Sequence, residues 1–171
     1  MSHLSSQTPE IKAENLSQSP RSAGSAWARE KRFAEVLGRR MAYIERGAGY
    51  PILFLHGNPT SSFLWRGVLP HVEASGRRLI VPDLMGMGDS DKIPACSEPD
   101  RYRFASHARY IDAFIDEVVG TEPLTLVLHD WGGALGLDWA YRHQQRVRAI
   151  AWRPSLLRSH WRICQKVSVR R

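Results

Sequence analysis

Apolar and polar residues alternate over 32–37 and again over 40–45, with Gly38 between them, and this period of two predicts two half-exposed strands joined in a hairpin. The pattern then changes. Pro51-Ile52-Leu53-Phe54-Leu55 is apolar without interruption and Leu124-Thr125-Leu126-Val127-Leu128 nearly so, as suits strands buried on both faces of a parallel sheet. Residues 78–81 and 147–151 predict two further strands. Short helical stretches are expected through Trp65 and up to Gly76, an amphipathic helix over 104–119, and another helix over 134–143. Strands alternating with helices predict an α/β fold with a mostly parallel sheet flanked by helices.

Turn-forming clusters follow two of these strands. His56-Gly57-Asn58-Pro59 follows the first apolar run, and Asp83-Leu84-Met85-Gly86-Met87-Gly88-Asp89-Ser90-Asp91 loops over the end of the strand at 78–81. The Gly86-x-Gly88 pair is not a dinucleotide fingerprint, which needs a third glycine at position 91 and an immediate helix. The chain has Asp91 and a proline-containing loop there. No motif implies a metal, a nucleotide or any other cofactor.

At 171 residues the chain is long enough for one domain with a substantial core. The net charge of +7 would suggest nucleic acid or an anionic membrane, but its position argues otherwise. From Trp152 onward, Arg153, Arg158, Arg162, Lys166, Arg170 and Arg171 supply +6 with no acidic residue. The rest is nearly neutral, so neither nucleic acid nor membrane is expected as a partner. Cys96 and Cys164 form no disulfide framework or metal motif. Residues 1–26 are rich in Ser, Gln, Pro and Glu and lack the apolar core of a signal peptide, which predicts a disordered leader and a cytoplasmic protein.

The most informative run is Leu126-Val127-Leu128-His129-Asp130-Trp131-Gly132-Gly133-Ala134-Leu135-Gly136, where an apolar strand breaks sharply into a helix at an acidic residue. The paired glycines allow strand end and helix start to pass closely while the central side chain is held strained and exposed. This is the pattern of a nucleophile elbow with Asp130 in the nucleophile position. A plain N-capping role is the alternative, although a cap requires neither Trp131 nor two glycines.

Three segments together resemble the haloalkane dehalogenases of the α/β-hydrolase superfamily: His56-Gly57-Asn58-Pro59-Thr60-Ser61-Ser62-Phe63-Leu64-Trp65-Arg66, Pro82-Asp83 through Asp91, and His129-Asp130-Trp131-Gly132-Gly133. Within that family, Gly38-Arg39-Arg40-Met41-Ala42-Tyr43-Ile44 resembles the type that hydrolyses chlorinated cyclohexadienes. The resemblance covers residues 31–151 and implies hydrolytic cleavage of carbon–halogen bonds through an aspartyl alkyl ester. Asp130 would be the nucleophile, and Asn58 and Trp131 the halide-binding pair. A small halogenated hydrocarbon and water are the implied partners. The chemistry is consistent: a carboxylate is ionised at neutral pH, and an amide and an indole N–H are neutral donors that can grip a departing halide. Asn58 can also be read as a turn residue before Pro59, His56 as structural, Asp83 as ordering its loop, and Phe63 and Trp65 as core or pocket wall. Epoxide hydrolases share the Asp-Trp-Gly-Gly elbow but usually lack the amide at the position of Asn58, so an epoxide hydrolase-like enzyme is the alternative.

The resemblance stops at Trp152. Family members usually continue with an aromatic residue, Met and a catalytic Glu, whereas this sequence reads Trp152-Arg153-Pro154-Ser155. Codons for that stretch, read one nucleotide earlier, permit Met-Glu-Ala-Ile, so a frameshift near codon 152 is expected. The sequence thus predicts the N-terminal half of an α/β-hydrolase fold over 27–151, lacking lid and last strands, with a non-native basic tail over 152–171. The strand ending at Ala151 is expected to be an unpaired apolar edge. Such a chain is expected to be inactive as written, a non-catalytic pseudogene product or small basic binding protein being the rival reading. Its oligomeric state is not legible.

Overall fold

The computed structural model describes residues 20–96, 99–153 and 162–165. Helix α1 (Pro20–Arg29) precedes the hairpin β1 (Arg32–Val36) and β2 (Arg39–Arg46), followed by β3 (Pro51–Leu55), a 3-10 helix (Ser62–Gly67), α2 (Leu69–Glu73) and β4 (Arg78–Pro82). Then come α3 (Phe104–Val118), β5 (Leu124–His129), α4 (Trp131–Arg142), a second 3-10 turn (Gln144–Arg146), β6 (Val147–Arg153) and β7 (Arg162–Gln165). Among these residues the strands form one sheet in the order β1-β2-β4-β3-β5-β6-β7.

The sheet is mixed rather than mostly parallel. Strands β4, β3, β5 and β6 run parallel to one another, while β1–β2, β2–β4 and β6–β7 pair antiparallel. The apolar runs of β3 and β5 lie at its centre because both faces are covered. Leu53, Leu55, Leu124, Leu126 and Leu128 pack with Tyr110 and Phe114 of α3 and Leu135 and Trp139 of α4. Phe54, with the partly buried Ile52 and Val127, packs with Trp27, Trp65 and Leu69 on the other face. Residues that alternate along one strand thus enter two different cores.

Two sequence expectations are corrected. The predicted leader reached residue 26, but residues 20–26 lie in α1. Trp27 in that helix is only 6% exposed, donates from Nε1 to Ser62 Oγ at 3.0 Å, and sits edge-on to Phe63. A polar, serine-rich composition hid the helix because one large aromatic anchors it. The expected leader's residues 1–19 lie outside the described residues. The expected open edge at Ala151 is also absent, since β6 runs on to Arg153 and pairs with β7 from Ala149↔Gln165 to Trp152↔Arg162. The unmet backbone groups of an apolar edge are the physical reason such a strand takes a partner. Residues 154–161 and 166–171 of the tail expected over 152–171 lie outside the described residues.

The β1–β2 hairpin turns on Leu37 and Gly38 at φ values of 52° and 73°. Two left-handed residues match a type I′ turn, in which Asn-Gly is favoured and a side chain such as Leu is strained. Leu37 is half exposed, so little packing offsets the strain. Leu37→Asn is expected to stabilise the fold by about 1 kcal/mol, read as a raised midpoint of urea unfolding at unchanged slope.

Candidate functional site

Strands β3 and β5 are parallel neighbours, with Leu55 paired to Leu128, so the segments that follow them emerge side by side at one edge of the sheet. After β5 the chain turns directly into α4 at Asp130, whose backbone stands at φ 52° and ψ −122°. That is a strained conformation for a residue with a Cβ, costing on the order of 1–3 kcal/mol. The Asp130 side chain makes no capping hydrogen bond to α4, so the plain N-cap alternative fails.

Glycines make the elbow possible through contact rather than flexibility. A Cβ on Gly57 would lie 2.4 Å from Asp130 Cβ and Oδ1, and one on Gly132 would lie 2.3 Å from the Leu55 carbonyl oxygen. One on Gly133 would lie 2.6 Å from Trp152 Nε1. Trp152, expected to begin the foreign tail, therefore packs against the elbow.

After β3, Gly57 to Thr60 form a tight turn closed by Thr60 N–H donating to the Gly57 carbonyl at 3.0 Å. Within it, Asn58 N–H donates to Asp130 Oδ1 at 3.2 Å. Asn58 thus lies in the turn that its sequence position suggested, and its backbone faces Asp130. Trp131 is also on this edge, 36% exposed, with its ring 5.9 Å from His107 and 6.5 Å from Phe104. A cleft of about 380 Å³ opens beside Asn58, between Pro59–Thr60 and the Met85–Gly88 loop, with Tyr102 at its side. The structure thus places Asp130, Asn58 and Trp131 at the C-terminal ends of two adjacent central strands, where open parallel sheets hold their ligands.

The flanking residues have structural work. Asp83 is fully buried, and its carboxylate receives Ser62 N–H and Asp89 N–H, each at 2.8 Å, and the ammonium of Lys31. Burial pushes this carboxyl up, but the Lys31 ammonium and the hydrogen bonds outweigh it and hold the pKa below the usual carboxylate range. Sequence reading missed Lys31, which is almost fully buried and also pairs with Asp89 at 2.7 Å. Lysine before a strand gives no sequence signal for burial. Trp65 is core, edge-on to Phe54, and Phe63 covers Trp27. His56 is fully buried between the Gly57 carbonyl and the Leu84 amide.

A sequence model of the alpha/beta hydrolase fold matches residues 50–161, and the chain belongs to that family. Its relatives within it are haloalkane dehalogenases. The chain is 56% identical to one from Sphingobium indicum over 72% of its own length and 41% of that protein's. It is 52% identical to one from Mycolicibacterium smegmatis over 69% of the chain and 37% of the relative. The crystal structure of the haloalkane dehalogenase DatA from Agrobacterium tumefaciens C58 superimposes with a TM-score of 0.66 at 41% identity, covering 72% of this chain and 40% of that one. The chain therefore spans about 40% of the length of the relatives it matches.

Two outcomes follow from the packing. Gly57→Ala is expected to expel Asp130 from its position or abolish folding, since the methyl group would lie 2.4 Å from the Asp130 Cβ and Oδ1; loss of soluble protein or of the native near-ultraviolet circular dichroism would show it. The second concerns acid. Burial lowers the pKa of His56, His107 and His129 below 6.5, so between that value and the lower folded values the unfolded chain binds more protons. Their contribution to stability is present above pH 6.5 and is lost as pH falls through the folded pKa values, by at most about 1.4 kcal/mol per pH unit for each of the buried His56 and His107 and by less for the more exposed, solvent-screened His129. Thermal midpoints at pH 7.5 and 5.5 are expected to show the fall, and replacing His107 with Phe to reduce it.

Proposed function

We propose that this chain carries the nucleophile and halide-binding half of a haloalkane dehalogenase, acting on small halogenated hydrocarbons through Asp130. The observation that carries the reading is Asp130 raised on a strained elbow with one carboxylate oxygen receiving the Asn58 N–H. In the first half-reaction the other carboxylate oxygen attacks the halogen-bearing carbon from behind. A C–O bond forms, the C–halogen bond breaks, and the halide leaves with the electron pair toward the neutral donors of Asn58 and Trp131. Asp130 Oδ1 becomes the carbonyl oxygen of the ester, already facing the N–H that would stabilise negative charge on it during hydrolysis.

Hydrolysis of the ester needs a base to activate water. His56 is not that base, because both of its ring nitrogens are engaged in hydrogen bonds inside the protein. The 171-residue chain, assayed by itself, is proposed to alkylate Asp130 and stall. Asn58 favours this reading over an epoxide hydrolase, since an amide beside the nucleophile suits a departing halide rather than an epoxide oxygen awaiting a proton.

Incubation with 1-bromobutane is expected to release about one bromide per chain and to leave a butyl group on Asp130, located by mass spectrometry of the peptide. Asp130→Asn should take up none. Asn58→Leu, which removes the side-chain donor, should slow alkylation by roughly 10²-fold. Absence of the adduct in folded wild-type protein would overturn the nucleophile assignment, and sustained bromide release over many turnovers would overturn the stall.

A further inference from the structure

We infer that His56 is a positioning residue for the nucleophile: its ring ties the Gly57 carbonyl to the Leu84 amide and thereby aims the Asn58 N–H at Asp130. The inference rests on the reading of Asp130 as nucleophile given above. The Gly57 C=O and the Asn58 N–H belong to the same rigid unit and point in opposite directions, so fixing the carbonyl fixes the donor. Gly57 has no side chain to restrain it, because a Cβ there would strike Asp130. A glycine peptide free of outside contacts can rotate widely, so the restraint must come from whatever holds its oxygen.

Three donors hold it: His56 Nδ1 at 2.9 Å, Thr60 Oγ1 at 2.7 Å and Thr60 N at 3.0 Å. The two from Thr60 belong to the same turn and move with it. His56 is the one that reaches outside, since its Nε2 accepts the Leu84 N–H at 2.9 Å from the loop after β4. A backbone N–H can only donate, so Nε2 carries no proton and the single ring proton sits on Nδ1, facing the Gly57 oxygen. The neutral ring is thus a strut between the Asn58 turn and the loop that walls the cleft.

A second proton would break the strut. It would sit on Nε2 and set a donor against the Leu84 N–H. The charged and titratable groups facing His56 are Asp83 after β4, Lys31 before β1 and His107 of α3. Burial opposes the second proton most, Asp83 favours it, and Lys31 and His107 oppose it, so the ring stays neutral until the pH is below 6.5. Acid that reaches the lowered pKa of His56 should loosen the Asn58 donor.

The test compares wild type, His56→Gln and His56→Leu. Glutamine places an uncharged acceptor near the position of Nε2, while leucine fills space and accepts nothing. Two readouts are followed from pH 8 to pH 5: the rate of Asp130 alkylation by 1-bromobutane, and hydrogen exchange of the Asn58 amide by nuclear magnetic resonance. Wild type is expected to lose alkylation rate and Asn58 protection together in a one-proton step below pH 6.5. His56→Gln should lack that step and keep a rate within about tenfold of wild type. His56→Leu should be slower by roughly 10²-fold at every pH. The same acid step in His56→Gln, or Asn58 protection that stays constant while His56 titrates, would overturn the inference. Should wild type show no alkylation at all, the nucleophile reading falls, and the positioning role is decided by Asn58 exchange alone. Should His56→Leu fail to fold, the comparison of wild type with His56→Gln still decides it.

Discussion

The close approach of the ends of β3 and β5 is the constraint from which the rest of the site follows. Two parallel central strands deliver their next residues to the same place, and there is room for one side chain only. Gly57 yields that space from one side and Gly132 from the other, each with a would-be Cβ within 2.4 Å of its neighbour. Asp130 takes the space and, in taking it, adopts a backbone conformation that costs energy. The surrounding pairings of β3 with β4 and β5 supply that energy, because a hydrogen-bonded, largely buried pair of strands does not shift to relieve one residue.

A second fixture lies one strand away. Asp83 and Lys31 are both almost fully buried, an arrangement expensive in desolvation unless each charge is well satisfied. Here the carboxylate also draws in the N–H of Ser62, at the start of the 3-10 helix, and of Asp89, in the glycine loop. Gly88 has no side chain because a Cβ would lie 2.1 Å from that carboxylate. The ion pair thus orders three segments that converge on the cleft. Removing either partner would strand the other charge in the core, at about 3–5 kcal/mol, which is more than a surface pair could ever supply.

Much of this was legible in sequence where local rules and packing agree. The strands at Pro51–Leu55 and Leu124–His129 follow from uninterrupted apolar runs, and the elbow from glycines placed around an acidic residue. Where a rule reads only composition, it failed. Gly132 and Gly133 suggested that α4 begins at residue 134, yet it starts at Trp131, because those glycines serve close packing inside the first turn rather than breaking it. Serine-rich composition hid α1, whose order depends on Trp27 reaching Ser62 thirty-five residues away. Lys31 was invisible for the same reason, since its partner lies fifty-two residues on. No local pattern can report a contact that only the fold creates.

The partition of the chemistry also follows the partition of the fold. Among the described residues, the contacts that set Asp130 include Gly57 and Asn58 after β3 and Gly132 in α4, with Trp152 of β6 behind Gly133. These elements lie in a chain that spans about 40% of the length of its relatives. The proposed nucleophile and halide donors would need rigid placement at a strand end, which a central sheet provides. Activating water is a different demand, requiring a base of suitable pKa facing the ester, and the buried His56 is spent on holding the Asn58 turn. In the proposed reading, bond formation at Asp130 and hydrolysis of its ester make separate structural demands, and the strand-end placement of Asp130 and Asn58 bears on the first of them.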